Sequence, residues 1–251
     1  MSLLRTEGLL KVFGDFHAVD NVNFSVGHGE VLALVGSNGA GKTTLVNVIT
    51  GYYMPDGGSI HFKDQNVTRK TINERVRAGI ARSFQLVNLF DQMSAFDNIA
   101  LPVFSRERKT RRFTVPASSD SAVRDETQEL LEQFGLADKA HTLAGGLSQG
   151  ERKLLDVAAA YALRPGVLFL DEPTSGVSTR DKANIMDTVS GVVRAGHISA
   201  VIIEHDMDVV FRYSDRIVMM HEGRILADGK PDEIRNNEEV AMTLIGGKFT
   251  N

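Results

Sequence analysis

The chain has 251 residues and a formal net charge of −4 at pH 7, with 42% hydrophobic and 24% charged residues. That composition suits a folded globular chain with length enough for a buried core, and excludes a disordered or fibrous one. The absence of cysteine excludes disulfides, iron–sulfur clusters, thiol catalysis and cysteine-type zinc sites, and the net negative charge argues against a dedicated nucleic-acid binder.

Arg5, Glu7 and Lys11 precede any long apolar run, so no secretory signal is expected at the start. No uncharged apolar stretch approaches the roughly 18–20 residues that cross a bilayer, which points away from a channel or permease. The first quarter reads as strands between glycine-rich turns. Apolar residues alternate in Val22-Asn23-Phe24-Ser25-Val26, predicting one half-buried strand that Gly27-His28-Gly29 ends. Val31-Leu32-Ala33-Leu34-Val35 is a continuous apolar run, as expected of a strand covered on both faces of a parallel sheet. Ile60 and Phe62 alternate within residues 59–63. Two further buried-type strands are Val167-Leu168-Phe169-Leu170 and Ala200-Val201-Ile202-Ile203. Residues 217–220 and 224–227 flank Glu222-Gly223 and predict a hairpin. Residues 86–163 read as mainly helical. The plainest architecture is a parallel-centred α/β core interrupted by a helical subdomain.

Residues 105–120 differ in texture, with Arg106, Arg108, Lys109, Arg111 and Arg112 ahead of Pro116 and a serine-rich piece. Two readings stand: a solvated surface excursion, or a basic face beside anionic lipid headgroups, where each cation contributes about 1 kcal/mol.

Gly36-Ser37-Asn38-Gly39-Ala40-Gly41-Lys42-Thr43 matches G-x-x-x-x-G-K-(S/T) directly after a buried strand. Glycines let backbone N–H groups curl around phosphate oxygens, and the following helix adds its positive end. The segment from Ser37 to Thr44, with Asn38, Gly39, Ala40 and Gly41 between, is thus the candidate cradle. Lys42 would reach the β- and γ-phosphates and Thr43 would hold Mg²⁺. Asp171-Glu172 closes the second buried strand. Asp171 would stand beside Mg²⁺, and Glu172, leaving the strand end in another direction, would orient or deprotonate an attacking water. Ser148 and Glu151 in Leu147-Ser148-Gln149-Gly150-Glu151 form a capping box ahead of a helical run. Gly146 and Gly150 leave room there for an anion, so capping alone and a second phosphate surface are both open readings.

Together these motifs resemble the ATP-binding cassette of ABC transporters: GSNGAGKT the Walker A motif, VLFLDE the Walker B motif, LSQGE the family signature. The resemblance spans essentially the whole chain. It implies a P-loop NTPase (RecA-like) α/β fold: residues 1–85 and 164–251 as the core, an N-terminal antiparallel β subdomain, and an inserted helical subdomain at 86–163. It also implies ATP and Mg²⁺, Gln85 as the Q-loop glutamine sensing Mg²⁺ and water, and His205 as the switch histidine at the γ-phosphate. Phe13 corresponds to the adenine-stacking aromatic, with Phe16 competing for that role. By the same resemblance, Ser148 and Gly150 serve the nucleotide of a second cassette in a head-to-tail homodimer or heterodimer.

Within the family, Arg82-Ser83-Phe84-Gln85, Leu89-Phe90, Asn98-Ile99-Ala100, the insert near Arg106 and the ending at residues 223–229 resemble the first ATPase of branched-chain amino-acid (Liv-type) importers. This implies a peripheral subunit at the cytoplasmic face of the membrane. It would drive separate permease subunits, reached through residues 86–96, and indirectly serve a solute-binding protein, with no nucleic-acid partner. A lipopolysaccharide-type exporter ATPase and a soluble ABC ATPase are the alternatives. Two positions depart from the common pattern. Glu151 brings a charge to the signature, and Ser178 stands where many relatives carry an aspartate.

Overall fold

In the computed structural model, which describes residues 2–83, 89–107, 120–237 and 240, the central run is strand β4 (Val31–Val35). It lies between β9 (Ser199–Ile203) and β10 (Arg216–His221), parallel to both. The sheet continues through β8 (Val167–Asp171) to β7 (Ile80–Ser83), also parallel, and closes with antiparallel β11 (Arg224–Gly229), giving the order β11-β10-β4-β9-β8-β7. Every residue of β4, β8 and β9 is buried, as their unbroken apolar runs require.

Successive residues of these strands serve opposite layers. Leu168 and Leu170 face the core shared with α3 (Ala95–Arg106), α4 (Ser121–Gln133), α5 (Gln149–Tyr161) and α6 (Thr179–Ala195). Val167 and Phe169 face a second core with α1 (Lys42–Thr50) and the N-terminal sheet. That sheet is antiparallel, with β1 (Ser2–Phe13) pairing β2 (Phe16–Val22), β3 (Ser25–Gly27) and β5 (Gly57–Phe62), and β5 pairing β6 (Gln65–Asn66). A third, smaller core joins α7 (Met207–Tyr213) and α8 (Pro231–Arg235) to β10. A seven-residue helix α2 (Ile72–Ala78), opened by a Thr71–Glu74 capping box, precedes β7. The chain is therefore α/β with a parallel-centred sheet and an antiparallel N-terminal sheet.

The expected single strand at residues 22–26 is corrected. β2 ends at Val22 and β3 begins at Ser25. The buried hydroxyl of Thr6 takes the place of ladder bonds at the break, donating to Val22 O and accepting from Phe24 N, both at 2.9 Å. The strand expected at residues 59–63 starts at Gly57 and stops at Phe62. Lys63 and Asp64 both have positive φ, 49° and 59°, and form the two-residue turn into β6. The hairpin at Glu222-Gly223 forms as expected, with φ of 46° and 78°. Its tip rests on the phosphate loop, Gly223 N donating to Ala40 O at 3.0 Å. Among the described residues no helix is long and apolar enough to cross a membrane.

Candidate functional site

The loop from Gly36 to Gly41 leaves β4 and enters α1, and its glycines are needed sterically. A Cβ at Gly36 (φ 148°) would lie 2.3 Å from Met220 O, and one at Gly41 (φ 101°) would lie 2.3 Å from Ala18 O. Only glycine lets the loop press this closely against β10 and β2. Lys42 is the first helical residue, so the N–H groups of the first α1 turn lack intrahelical acceptors, the arrangement that suits an anion. The Lys42 ammonium is buried and donates to Gly36 O at 2.7 Å and Ser37 O at 3.0 Å. That uses two of its three donors. Burial pulls its pKa below the ordinary lysine value, while the carboxylates of Glu172 and Asp171 oppose the fall.

The cleft over this loop has a volume of about 340 Å³ and is lined by Asn38 to Thr44, Phe16, Ala18, Glu172, Ile203 and His205. Glu172 and His205 reach it because β8 and β9 are adjacent and in register, Asp171 opposite Ile203. Each stands just past a strand end. His205 Nε2 lies 2.9 Å from Glu172 Oε1. Glu172 adopts φ 47°, an uncommon conformation for a residue with a side chain, and one of the kind found where a site holds local strain. Asp171 is buried beneath and paired with the Arg82 guanidinium, which also donates to Asn47 Oδ1 at 2.6 Å.

Ser148 and Gly150 lie elsewhere, in a groove of about 460 Å³ shared with Gln149, Gly176, Ser178 and Asp181. The capping box is present in full: Glu151 N donates to Ser148 Oγ, and Ser148 N donates to Glu151 Oε2 at 2.7 Å. Glu151 therefore spends its charge locally, and Lys139 stands 3.5 Å from its carboxylate. The hydrogen bond from the Ser148 N–H, more than any other contact, holds the Glu151 carboxyl below its usual value. Ser178 caps α6 and donates to Asp181 Oδ2 at 2.6 Å, so a carboxylate reaches this groove three residues after the position that lacks one.

Of the two aromatic candidates, Phe16 lines the cleft. Phe13 pairs across the same hairpin but stacks edge-on against Tyr53 at 5.4 Å, with the Lys11 ammonium 5.4 Å from its ring centre. Gln85 lies outside the described residues, as do residues 86–88 of the expected permease contact and Arg108, Lys109, Arg111, Arg112 and Pro116 of the basic segment. Arg106 is described, and it is engaged with Glu126 and Ala162 O, not held out to solvent.

A parallel sheet with a glycine loop and buried lysine at the β4–α1 junction, and an Asp-Glu pair ending a neighbouring strand, defines a P-loop nucleoside triphosphatase. Residues 19–175 match the ABC transporter family model. The high-affinity branched-chain amino acid transport ATP-binding protein LivG of Escherichia coli is 34% identical over 97% of this chain and 98% of its own length. Its counterpart BraF of Pseudomonas aeruginosa is likewise 34% identical, over 97% and 98%. A solved ATP-binding cassette of an ABC transporter in its ADP conformation superposes with a TM-score of 0.87 at 30% identity, covering 98% of this chain and 99% of that one. A nucleotide-free cassette gives 0.82 at 31%, covering 97% and 95%. The chain belongs to the ABC transporter family and is an ATP-binding cassette ATPase.

Proposed function

We propose that this protein is the ATPase subunit that powers a separate membrane permease for uptake of branched-chain amino acids, working at the cytoplasmic face of the membrane. One observation carries the hydrolytic part: Glu172 and His205 meet at 2.9 Å on the cleft that the Lys42 loop also lines. What supports the solute is similarity over nearly the full length of relatives whose names specify branched-chain amino acid transport.

In this reading ATP is the substrate, and residues Ser37 to Thr44 hold its phosphates. Lys42 neutralises charge on the β- and γ-phosphates, Glu172 orients or deprotonates the attacking water, and His205 donates to the γ-phosphate. Phe16, by its place on the cleft, is favoured over Phe13 as the platform for adenine.

The residues present fit Mg²⁺. The Thr43 hydroxyl lines the cleft at the head of α1, and the Asp171 carboxylate, paired with Arg82, ends β8 next to Glu172; both are hard oxygen donors, and Mg²⁺ is commonly held by one or two such groups plus substrate phosphates. Gln85 is the third candidate for this role. When bound, the ion would supply charge neutralisation at the transferred phosphoryl group.

Ser148 and Gly150 occupy a groove apart from the Lys42 cleft, so we assign them to the nucleotide of a second cassette, identical or not. Residues 86–96 are assigned to permease contact, and a solute-binding protein delivers the amino acid. The test is reconstitution. Purified protein should hydrolyse ATP only with Mg²⁺, and leucine, isoleucine or valine uptake by membranes holding its co-purifying permease should require it. Retention on RNA, without membrane partners, would overturn the assignment.

A further inference from the structure

Two buried charged residues grip the turn that carries Glu172, and neither lines the cleft. Glu204, 4% exposed, stands one residue past the end of β9. Its Oε1 accepts from Thr174 N at 2.9 Å and from Thr174 Oγ1 at 2.6 Å, and its Oε2 accepts from His205 N at 3.2 Å. One carboxylate thus ties the residue two places beyond Glu172 to the backbone of the residue that meets Glu172 across the cleft. Lys153, 6% exposed and on α5, donates to Glu172 O at 3.0 Å and to Ser175 Oγ at 3.1 Å. Glu172 N itself donates to Ile203 O at 2.9 Å.

A buried carboxylate is costly to desolvate unless hydrogen bonds compensate, and every donor found here belongs to the two segments that bear Glu172 and His205. The positive φ of Glu172 likewise needs surroundings that over-determine it. We propose that Glu204, seconded by Lys153, is a positioning residue for hydrolysis: it fixes the Glu172 and His205 side chains relative to each other without touching substrate. The proposal rests on the assignment of Glu172 and His205 given above.

The test uses the full chain and two substitution sets. Glu204→Gln keeps the shape but sets an amide N–H₂ against one of the bound donors. Turnover should fall about 10–100-fold, the scale of a misplacement near 1 Å. The KM for ATP and the affinity for ADP should move less than about threefold, because the phosphate loop is untouched. Thr174→Val removes the hydroxyl donor at constant size and should show the same kcat-only loss. Thr174→Ser keeps the donor and should retain at least about half of wild-type turnover, a rescue that a purely steric role does not predict. If Glu204→Gln cannot be purified folded, the Thr174 pair decides. Unchanged kcat in Glu204→Gln, parallel loss of kcat and ADP affinity, or equal defects in both Thr174 variants would each overturn the proposal. Glu172→Gln separates the levels: full turnover by that variant refutes the underlying site assignment, whereas its failure beside an unaffected Glu204→Gln refutes only the positioning role.

Discussion

His205 Nε2 and Glu172 Oε1 are 2.9 Å apart although 33 positions separate them in the chain. The contact exists because β8 and β9 run parallel in register and both end at the same cleft. At this distance the imidazole and the carboxylate hold each other in one orientation, which a residue aligning water needs. Glu172→Gln is expected to lower turnover by about 10²-fold or more while ADP affinity stays within threefold, since the groups proposed to activate water and to bind phosphate reside on different elements. His205→Ala should lose at least about tenfold in kcat. Single-turnover hydrolysis beside ADP titration measures both. Normal turnover by Glu172→Gln would falsify the assignment.

The aromatic hairpin supports a ranking. Phe16 is 59% exposed and lines the cleft, whereas Phe13 already has an edge-on partner in Tyr53. A ring that stacks on a base is worth about 1 kcal/mol beyond its area, so Phe16→Ala should weaken ADP binding about tenfold. Phe13→Ala should weaken it less than about twofold. Calorimetric titration of the two variants checks the order, and the reverse ranking returns Phe13 to the adenine role.

The cap on α5 carries a pH signature. Ser148→Ala removes the acceptor for Glu151 N and should cost about 1 kcal/mol of stability. Glu151 is held below its usual value of 4.5, chiefly by the Ser148 N–H. A carboxyl with a depressed folded-state pKa contributes stability that is present above the unfolded value and is lost as pH falls through the folded one. The gap in urea midpoint between wild type and Glu151→Gln should therefore be widest near neutrality and shrink progressively as pH falls below 4.5. A gap constant with pH would show that the carboxylate charge plays no part in the cap.

Contiguous features were legible in the sequence, and contacts between distant segments were not. The β4, β8 and β9 runs announced themselves because both faces of each strand are buried. The loop from Gly36 to Thr43 and the Ser148–Glu151 box are local devices whose function depends on spacing alone. β1, with twelve residues, was missed because Arg5, Glu7 and Lys11 interrupt its alternation and register shifts fall between Leu9 and Val12. Asn23 and Phe24 read as strand because periodicity reports faces, not which side chain replaces a ladder bond, and Thr6 is that replacement. Glu204 was equally invisible, since its partner Thr174 is 30 residues away. Ser178 looked like a lost carboxylate until the first turn of α6 placed Asp181 beside it.

Arg75 is the strongest test of how the phosphate loop is braced. It is fully buried on α2, and among the described residues no carboxylate pairs with it. Instead its guanidinium donates to Ile49 O at 2.7 Å, to Thr68 O at 2.8 Å, to Lys70 O at 3.0 Å and to Val48 O. Two of these are last-turn carbonyls of α1, the helix that begins at Lys42, so Arg75 closes the far end of the element whose near end lines the cleft. Burial lowers its pKa to about 10, the mark of a charge kept in a poorly solvated place by hydrogen bonds alone. Arg75→Met leaves those carbonyls without a donor and should cost about 3 kcal/mol or more. Arg75→Lys should recover only part of this, because one ammonium cannot reproduce the planar fork that spans four carbonyls. Denaturant unfolding at pH 7 measures both losses. ADP affinity of Arg75→Lys, measured where it is fully folded, should fall as well if bracing α1 supports the loop. Unchanged stability in Arg75→Met would show that water replaces the guanidinium and that α1 needs no such brace.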